Sequence, residues 1–340
     1  MESPEHFGNP EREYAALRET LGLLDCSFRG TLELEGKDRV SFLHGLVTQD
    51  IKGLKSGNCA YSLMTTNKAR IMADMFVYAL PDSLILDLVR QNVDKVKGEL
   101  EKYIFVEDVT VKDVSHECRH FSLLGPAASA VLKRRPGALP EEEGKFELHT
   151  FGGETVLVGR TSYGQVPRFD LFVPTRSGES LWTLLVAESR TLGGIPVGTT
   201  ALEMLRIEEG IPLYGMDFDE TVMPAEAGLE HAVSFTKGCY VGQEPIARLK
   251  HRGHVNKLLC GVKADRDTPI PPDTAIFAGE REIGRVTSAA RSPLLKCAIA
   301  LAYVRVAEGP PNTEIRLGLK GEEGDGTVVS LPFVHLPKAP

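Results

Sequence analysis

The sequence predicts an α+β protein that closes with a C-terminal all-β barrel. Through the first three quarters of the chain, apolar positions at helical spacing interleave with strand-length apolar runs. From Asn256 onward the helical period is lost, and short β-like runs alternate with turn residues. The length of 340 residues suits two or three domains better than one.

The elements follow in order. Asn9-Pro10 reads as an N-cap and a proline at the first helical position, after which Tyr14, Leu17, Leu21 and Leu24 repeat at helical spacing. A strand is expected at 31–34. Asp38 can cap a second helix with the apolar face Val40, Leu43, Leu46 and Val47. Strand-like runs at 59–65, 71–78 and 83–89 lead to a helix marked by Val93, Val96, Leu100 and Ile104. Gly125-Pro126 is a breaker and a domain boundary, and 134–144, with two prolines, two glycines and three consecutive glutamates, reads as an exposed loop. Strands are expected at 154–158 and 169–173, then helices at 181–188 and 200–209, the second closed by Gly210. The barrel strands are expected at 258–262, 282–289, 298–304, 314–319 and 327–331.

Composition narrows the function classes. No apolar run approaches the roughly 18 residues of a membrane span. The start, Met1-Glu2-Ser3-Pro4-Glu5, lacks the basic-then-apolar layout of a signal peptide, so a cytoplasmic protein without membrane contact is expected. The net charge of -8 argues against a nucleic-acid partner but leaves room for a small anion opposite a local Lys/Arg cluster. The six cysteines, Cys26, Cys59, Cys118, Cys239, Cys260 and Cys297, contain no CxxC pair, so neither a metal site nor a dithiol motif is expected. Five of them sit in apolar surroundings and read as buried structural thiols.

The sixth lies in the most informative stretch, 237–253, KGCYVGQEPIARLKHRG. The preceding 232–235 (AVSF) is strand-like and 245–249 reads as the first turns of a helix, which places Cys239 in a turn flanked by Gly238 and Gly242. Glycines there permit close backbone approach or positive φ. A helix start and Lys237 nearby would favour thiolate over thiol. From the residues alone Cys239 is a reactive-thiol candidate, with a buried structural cysteine as the alternative.

The string Lys237-Gly238-Cys239-Tyr240-Val241-Gly242-Gln243-Glu244 resembles the signature of the YgfZ family, which is related to the T-protein of the glycine cleavage system, a tetrahydrofolate-dependent aminomethyltransferase. Residues 43–50 (LHGLVTQD), 205–217 (LRIEEGIPLYGMD), 224–229 (PAEAGL) and 284–293 (GRVTSAARSP) extend the likeness over nearly the whole chain. The resemblance implies a three-lobed ring with tetrahydrofolate in a central channel. The lobes would be 1–124, completed by about 211–252, then 125–210, then the barrel lobe 253–340. It also implies folate-dependent work on the assembly or repair of iron–sulfur proteins, which would be transient partners. The alternatives are an aminomethyl or methyl transferase of the T-protein type, and a non-catalytic scaffold.

A reduced pterin offers N–H groups that suit a carboxylate and a flat face that suits aromatics, while its glutamate tail suits Arg or Lys. Asp74 lies in an apolar strand, IMADMF, where a carboxylate is costly unless partnered, and it matches the T-protein's catalytic Asp. Asp170 falls where the resemblance places a pterin-binding Glu, and Arg206 and Glu208 lie on the shared helix. Lys237, Tyr240, Gln243 and Arg248 complete the expected folate-binding set, with Cys239 and Asp74 as the catalytic pair. Bland roles compete: Arg206 and Glu208, two apart, suit separate structural pairs, and Arg248 suits a solvated face. Asn67–Arg70 stands where the T-protein has paired glycines, Ala73 where it has the first of two Asp, and Gln165 departs from a Gly-Glu pattern. These departures count against transferase activity.

Overall fold

In the computed structural model, which describes residues 3–134, 139–319 and 322–335, Asn9 opens the first helix as its chemistry dictates. Its Oδ1 accepts from the Arg12 amide at 3.0 Å, and Pro10 starts α1 (Pro10–Glu19). The helix stops short of Leu21 and Leu24, because the chain straightens at Gly22 into β1 (Gly22–Asp25). A Cβ at Gly22 would sit 2.6 Å from Leu17 and 2.7 Å from Val197, so only glycine lets that turn pack.

The first α+β unit contains β2 (Arg29–Glu35), α2 (Arg39–Leu46), β3 (Cys59–Thr65), β4 (Ile71–Ala79), β5 (Ser83–Val89), α3 (Val93–Glu101) and β6 (Thr110–Asp113). Its sheet runs β3-β4-β5-β2-β6. Leu32, Leu34, Met75, Val77, Leu86 and Leu88 from the strands meet Leu43 of α2 and Val96 and Leu100 of α3 in one core. Asp38 stands at the start of α2 without capping it; its Oδ2 accepts from the Asp108 amide at 2.9 Å instead.

The second unit contains β7 (Cys118–Leu124), α4 (Ala128–Leu132), β8 (Lys145–Phe151), β9 (Glu154–Tyr163), β10 (Val166–Pro174), α5 (Thr175–Arg190), β11 (Ile195–Val197) and α6 (Thr199–Glu208). Its sheet runs β11-β1-β7-β10-β9-β8. Here the structure departs from the expected boundary at Gly125-Pro126. Residues 118–124 pair with β10 and with β1, Leu23 opposite Leu123, so both belong to the second sheet. Phe121 and Leu123, with Leu21 and Leu23, are buried against Leu181 and Leu185 of α5, and that apolar face decides the assignment. The expected loop at 134–144 lies partly outside the described residues; the carbonyl of Gly144, at its end, accepts from the Cys59 amide at 2.6 Å and so ties the two sheets together.

After α6 the chain returns over the first unit through a 3₁₀ turn (Glu230–Ala232) and α7 (Gln243–Arg252). The expected strand at 232–235 is therefore that turn followed by irregular chain. The remainder forms β12 (Lys257–Ala264), β13 (Ala275–Ala278), β14 (Arg281–Ser292), β15 (Cys297–Arg305), β16 (Glu314–Leu319) and β17 (Glu322–Val329), closed into a barrel in the order β12-β15-β14-β13-β16-β17. The five expected strands are present, and β13, only four residues long, is the sixth. Val262, Ile276, Val286, Ala300 and Leu317 fill the barrel interior.

Candidate functional site in the central cavity

The two sheets, α6 and the barrel enclose a cavity of about 1960 Å³. Its wall includes Arg29, Tyr61, Asp74 and Phe76 from the first unit, Thr161, Tyr163, Arg168, Arg206 and Glu209 from the second, His231 from the return segment and Cys260 and Arg291 from the barrel.

Asp74 is the chemically distinctive group in this wall. It sits on β4 opposite Leu63 and is buried. The Tyr61 hydroxyl donates to its Oδ2 at 2.9 Å, whereas Oδ1 is buried without a hydrogen-bond partner among the described residues. Burial raises the pKa of this carboxyl, with the Arg29 charge and the Tyr61 hydrogen bond opposing the shift. Tyr61 in turn is stacked on His231 at 5.7 Å between ring centroids and tilted against Phe76 at 5.1 Å. One carboxylate oxygen that lacks a donor thus lies beside flat aromatic faces. An N–H or O–H donor on a planar ligand would satisfy both.

The other expected carboxylates are already spent. Asp170 is buried on β10 behind the cavity and does not line it. It accepts from His120 Nε2 at 2.8 Å, Ser122 Oγ at 2.5 Å, Thr161 Oγ1 at 2.7 Å and Arg168 Nε at 2.7 Å. Both its oxygens are engaged, so it supports Arg168 and has no lone pair turned to a ligand. Glu208, fully buried, accepts from the Tyr14 hydroxyl, Arg18 Nη2 at 2.7 Å and the Ser292 hydroxyl. It ties α1 and β14 to α6 and lies outside the cavity wall. Arg206 does reach the cavity, but Glu203 and Asp217 hold its guanidinium, with Nη1 2.8 Å from the Ile211 carbonyl.

The signature segment turns away from the cavity. Lys237 Nζ donates to the carbonyls of His44, Val47 and Gln49 at 2.5, 2.7 and 3.0 Å. Its ammonium is spent on the C-terminal end of α2 and not on the thiol. Burial brings its pKa down to about 8. Tyr240 packs among Ala69, Val233 and Ile246, beneath the Lys237 ammonium. Between these two anchors Cys239 is exposed and lies outside the central cavity that Asp74 lines, so the two do not stand together as the expected catalytic pair. Gly242 is required by the backbone: φ is +86°, and a Cβ would lie 2.4 Å from Thr65 Oγ1. Gly238 has neither constraint. Gln243 starts α7, and Gln243, Tyr240 and Arg248 line a separate groove of about 830 Å³ on the outer side. Arg248 pairs with Glu244 one turn away at 2.9 Å, both exposed, which is an ordinary solvated helix pair.

Sequence reasoning missed Tyr61, Arg29, Arg168 and His231. Tyr61 carried a usable signal, since a tyrosine on the strand paired with the Asp74 strand is where a hydroxyl could meet that carboxylate. Arg168 stands two residues from Asp170, on the same face of one strand. Arg29 and His231 had none, because their placement depends on packing between units distant in sequence.

Comparison with known proteins agrees with this architecture. The GCVT N-terminal domain matches residues 1–237, and the glycine cleavage T-protein C-terminal barrel domain matches residues 257–335. The aminomethyltransferases of Bacillus pumilus (strain SAFR-032) and Bacillus cereus (strain ZK / E33L) are 28% and 29% identical over 345 residues, covering 99% of this chain and 93% of theirs. The crystal structure of glycine cleavage system aminomethyltransferase T from Bartonella henselae superposes with a TM-score of 0.89 at 27% identity, covering 98% of this chain and 91% of that one. Among the described residues no helix is long and apolar enough to cross a membrane. With one family model spanning well over half of the chain and the barrel model most of the rest, this chain belongs to the glycine cleavage T-protein family of aminomethyltransferases.

Proposed function

We propose that the central cavity binds tetrahydrofolate, and that the bound folate serves the maintenance of iron–sulfur proteins, as the YgfZ-like signature implies. The observation that carries folate binding is the buried Asp74 Oδ1, which has no donor among the described residues, in a wall of Tyr61, Phe76 and His231. These residues fit a reduced pterin: Oδ1 would accept a ring N–H, and the aromatic faces would cover the ring. Tetrahydrofolate supplies an acceptor for one-carbon units when bound. The chain's own contribution is to hold a proton-accepting oxygen at Asp74 and orient it through Tyr61. Titration of the protein with tetrahydrofolate tests this reading directly; absence of saturable binding would overturn it.

The iron–sulfur role adds Cys239 as a second, outward-facing site. Burial raises the pKa of Cys26, Cys59 and Cys260, whereas Cys239 is exposed. Competitive alkylation read by mass spectrometry is expected to modify Cys239 at least tenfold faster than Cys59. Comparable rates would remove it as the functional thiol, and full support of client enzymes in cells by Cys239→Ser would make the loop a packing motif.

An aminomethyl transfer of the T-protein type is the second reading, favoured by the same Asp74, whose raised pKa suits proton exchange with a reacting amine. The two readings separate in one assay. The first expects no turnover of an aminomethylated carrier protein, and turnover on the order of 1 per second or faster would establish the second.

A further inference from the structure

We propose that Arg29 and Arg168 form a carboxylate receptor inside the central cavity, beside Asp74. The proposal deepens the folate reading and rests on it only for the identity of the neighbouring ligand. Arg29 comes from the first sheet, and its Nε lies 2.8 and 2.7 Å from the two oxygens of buried Asp87, with Nη2 2.9 Å from the Asp87 carbonyl. Arg168 comes from the second sheet and sets Nε and Nη2 on Asp170 Oδ1 at 2.7 and 2.6 Å. Behind them His120 joins the two carboxylates, its Nε2 2.8 Å from Asp170 and its Nδ1 3.4 Å from Asp87. Each guanidinium is thus locked along one edge. Both side chains line the cavity, and Nη1 of neither makes a hydrogen bond among the described residues. A planar fork fixed at its rear presents its remaining N–H groups to an oxygen anion without further ordering.

Charge narrows the ligand. Each arginine is matched by one aspartate, with His120 between the two carboxylates. Asp74, near enough to Arg29 to feel its charge, opposes a dianion. A monoanionic carboxylate fits better than a phosphate. Asp74 would meet an N–H of the same ligand or of its neighbour. The carboxylate has two sources: the tail of the folate itself, or a separate small amino acid whose amine meets Asp74.

Three probes distinguish them in the full-length protein: 6-methyltetrahydropterin, which has no carboxylate, tetrahydrofolate, and glycine. The variants are Arg29→Lys and Arg168→Lys, which keep the charge on the buried aspartates and lose the fork, each checked for folding by thermal melting. If the tail is the source, tetrahydrofolate outbinds the pterin about tenfold or more in the wild type, and either variant abolishes that advantage. If a separate amino acid is the source, glycine binds the pterin-loaded protein and weakens about tenfold in either variant. Folded variants that leave both affinities within about twofold overturn the receptor. If neither 6-methyltetrahydropterin nor tetrahydrofolate binds the wild type, the folate reading fails, and glycine titration of the free protein still decides the receptor.

Discussion

Replacing Asp170 with alanine is expected to remove about 3–5 kcal/mol of folding stability, a large fraction of the roughly 5–15 kcal/mol that holds a domain folded. The carboxylate is 1% exposed and receives hydrogen bonds from four side chains; without it Arg168 stays buried with no counter-charge. Burial alone would raise this carboxyl, yet the Arg168 charge and the His120 hydrogen bond hold it far below the ordinary carboxylate range. A depressed folded-state pKa gives stability that is present above the unfolded value of 3.8 and lost as pH falls below it. His120 has the opposite sign. Its pKa is raised in spite of burial by Asp87 and Asp170, so its share is fully present below 6.5 and lost as pH rises through the folded value. Urea unfolding from pH 3 to 8 should show the wild type losing stability on the acid side, while Asp170→Ala, already destabilised and left with Asp87 as a depressed carboxyl, loses less there. An unchanged midpoint with weaker folate binding would instead make Asp170 a ligand contact.

Asp74→Asn should behave in reverse, with function lost and stability kept. Removing the charge from Oδ1's carboxylate takes away a charge-assisted hydrogen bond worth roughly 1.5–3 kcal/mol, so tetrahydrofolate affinity should fall tenfold or more. Stability should hold or rise, since burial disfavours the ionised carboxyl in the folded state. In the wild type, affinity should decline as pH drops through the raised Asp74 pKa, because the acceptor becomes protonated; in the asparagine variant that decline should be absent. A melting temperature that falls together with affinity would mark Asp74 as a structural residue, and unchanged affinity would remove it from the site.

The contrast between these two aspartates shows what the sequence could and could not convey. Both lie in apolar strands; pattern marked Asp74 as a costly carboxylate, whereas only the resemblance singled out Asp170. Strand periodicity gave β3, β4 and β5 to within a residue, because each has one face against a single core. It could not say that Ser122, Thr161 and His120, up to 50 positions away, converge on Asp170, nor that Asp74 Oδ1 is left without a hydrogen-bond partner among the described residues. The same limit misplaced Cys239. The glycine-flanked motif was readable, but the tether from Lys237 to the end of α2 spans 193 positions and leaves no local trace. β1, four residues long, was absorbed into a helical pattern, since Leu21 and Leu24 also fit that period.

That short strand has a consequence for synthesis on the ribosome. Leu23 pairs with Leu123 on one side and with Pro196 on the other. At 5–20 residues per second, β1 waits roughly 10–35 s between its own emergence and that of its parallel neighbour. The first unit can close meanwhile, because its strands all lie between Arg29 and Asp113. The segment Gly22–Asp25, with apolar Leu23 and Leu24, can take β7 on one edge once residues 118–124 emerge, but its other edge has no partner until β11 follows. A nascent chain arrested before residue 195 would therefore carry a finished first unit and a second sheet with β1 as an open edge, a state exposed to chaperone capture or to pairing with a neighbouring chain. The barrel, whose strands pair only among themselves, adds no such delay.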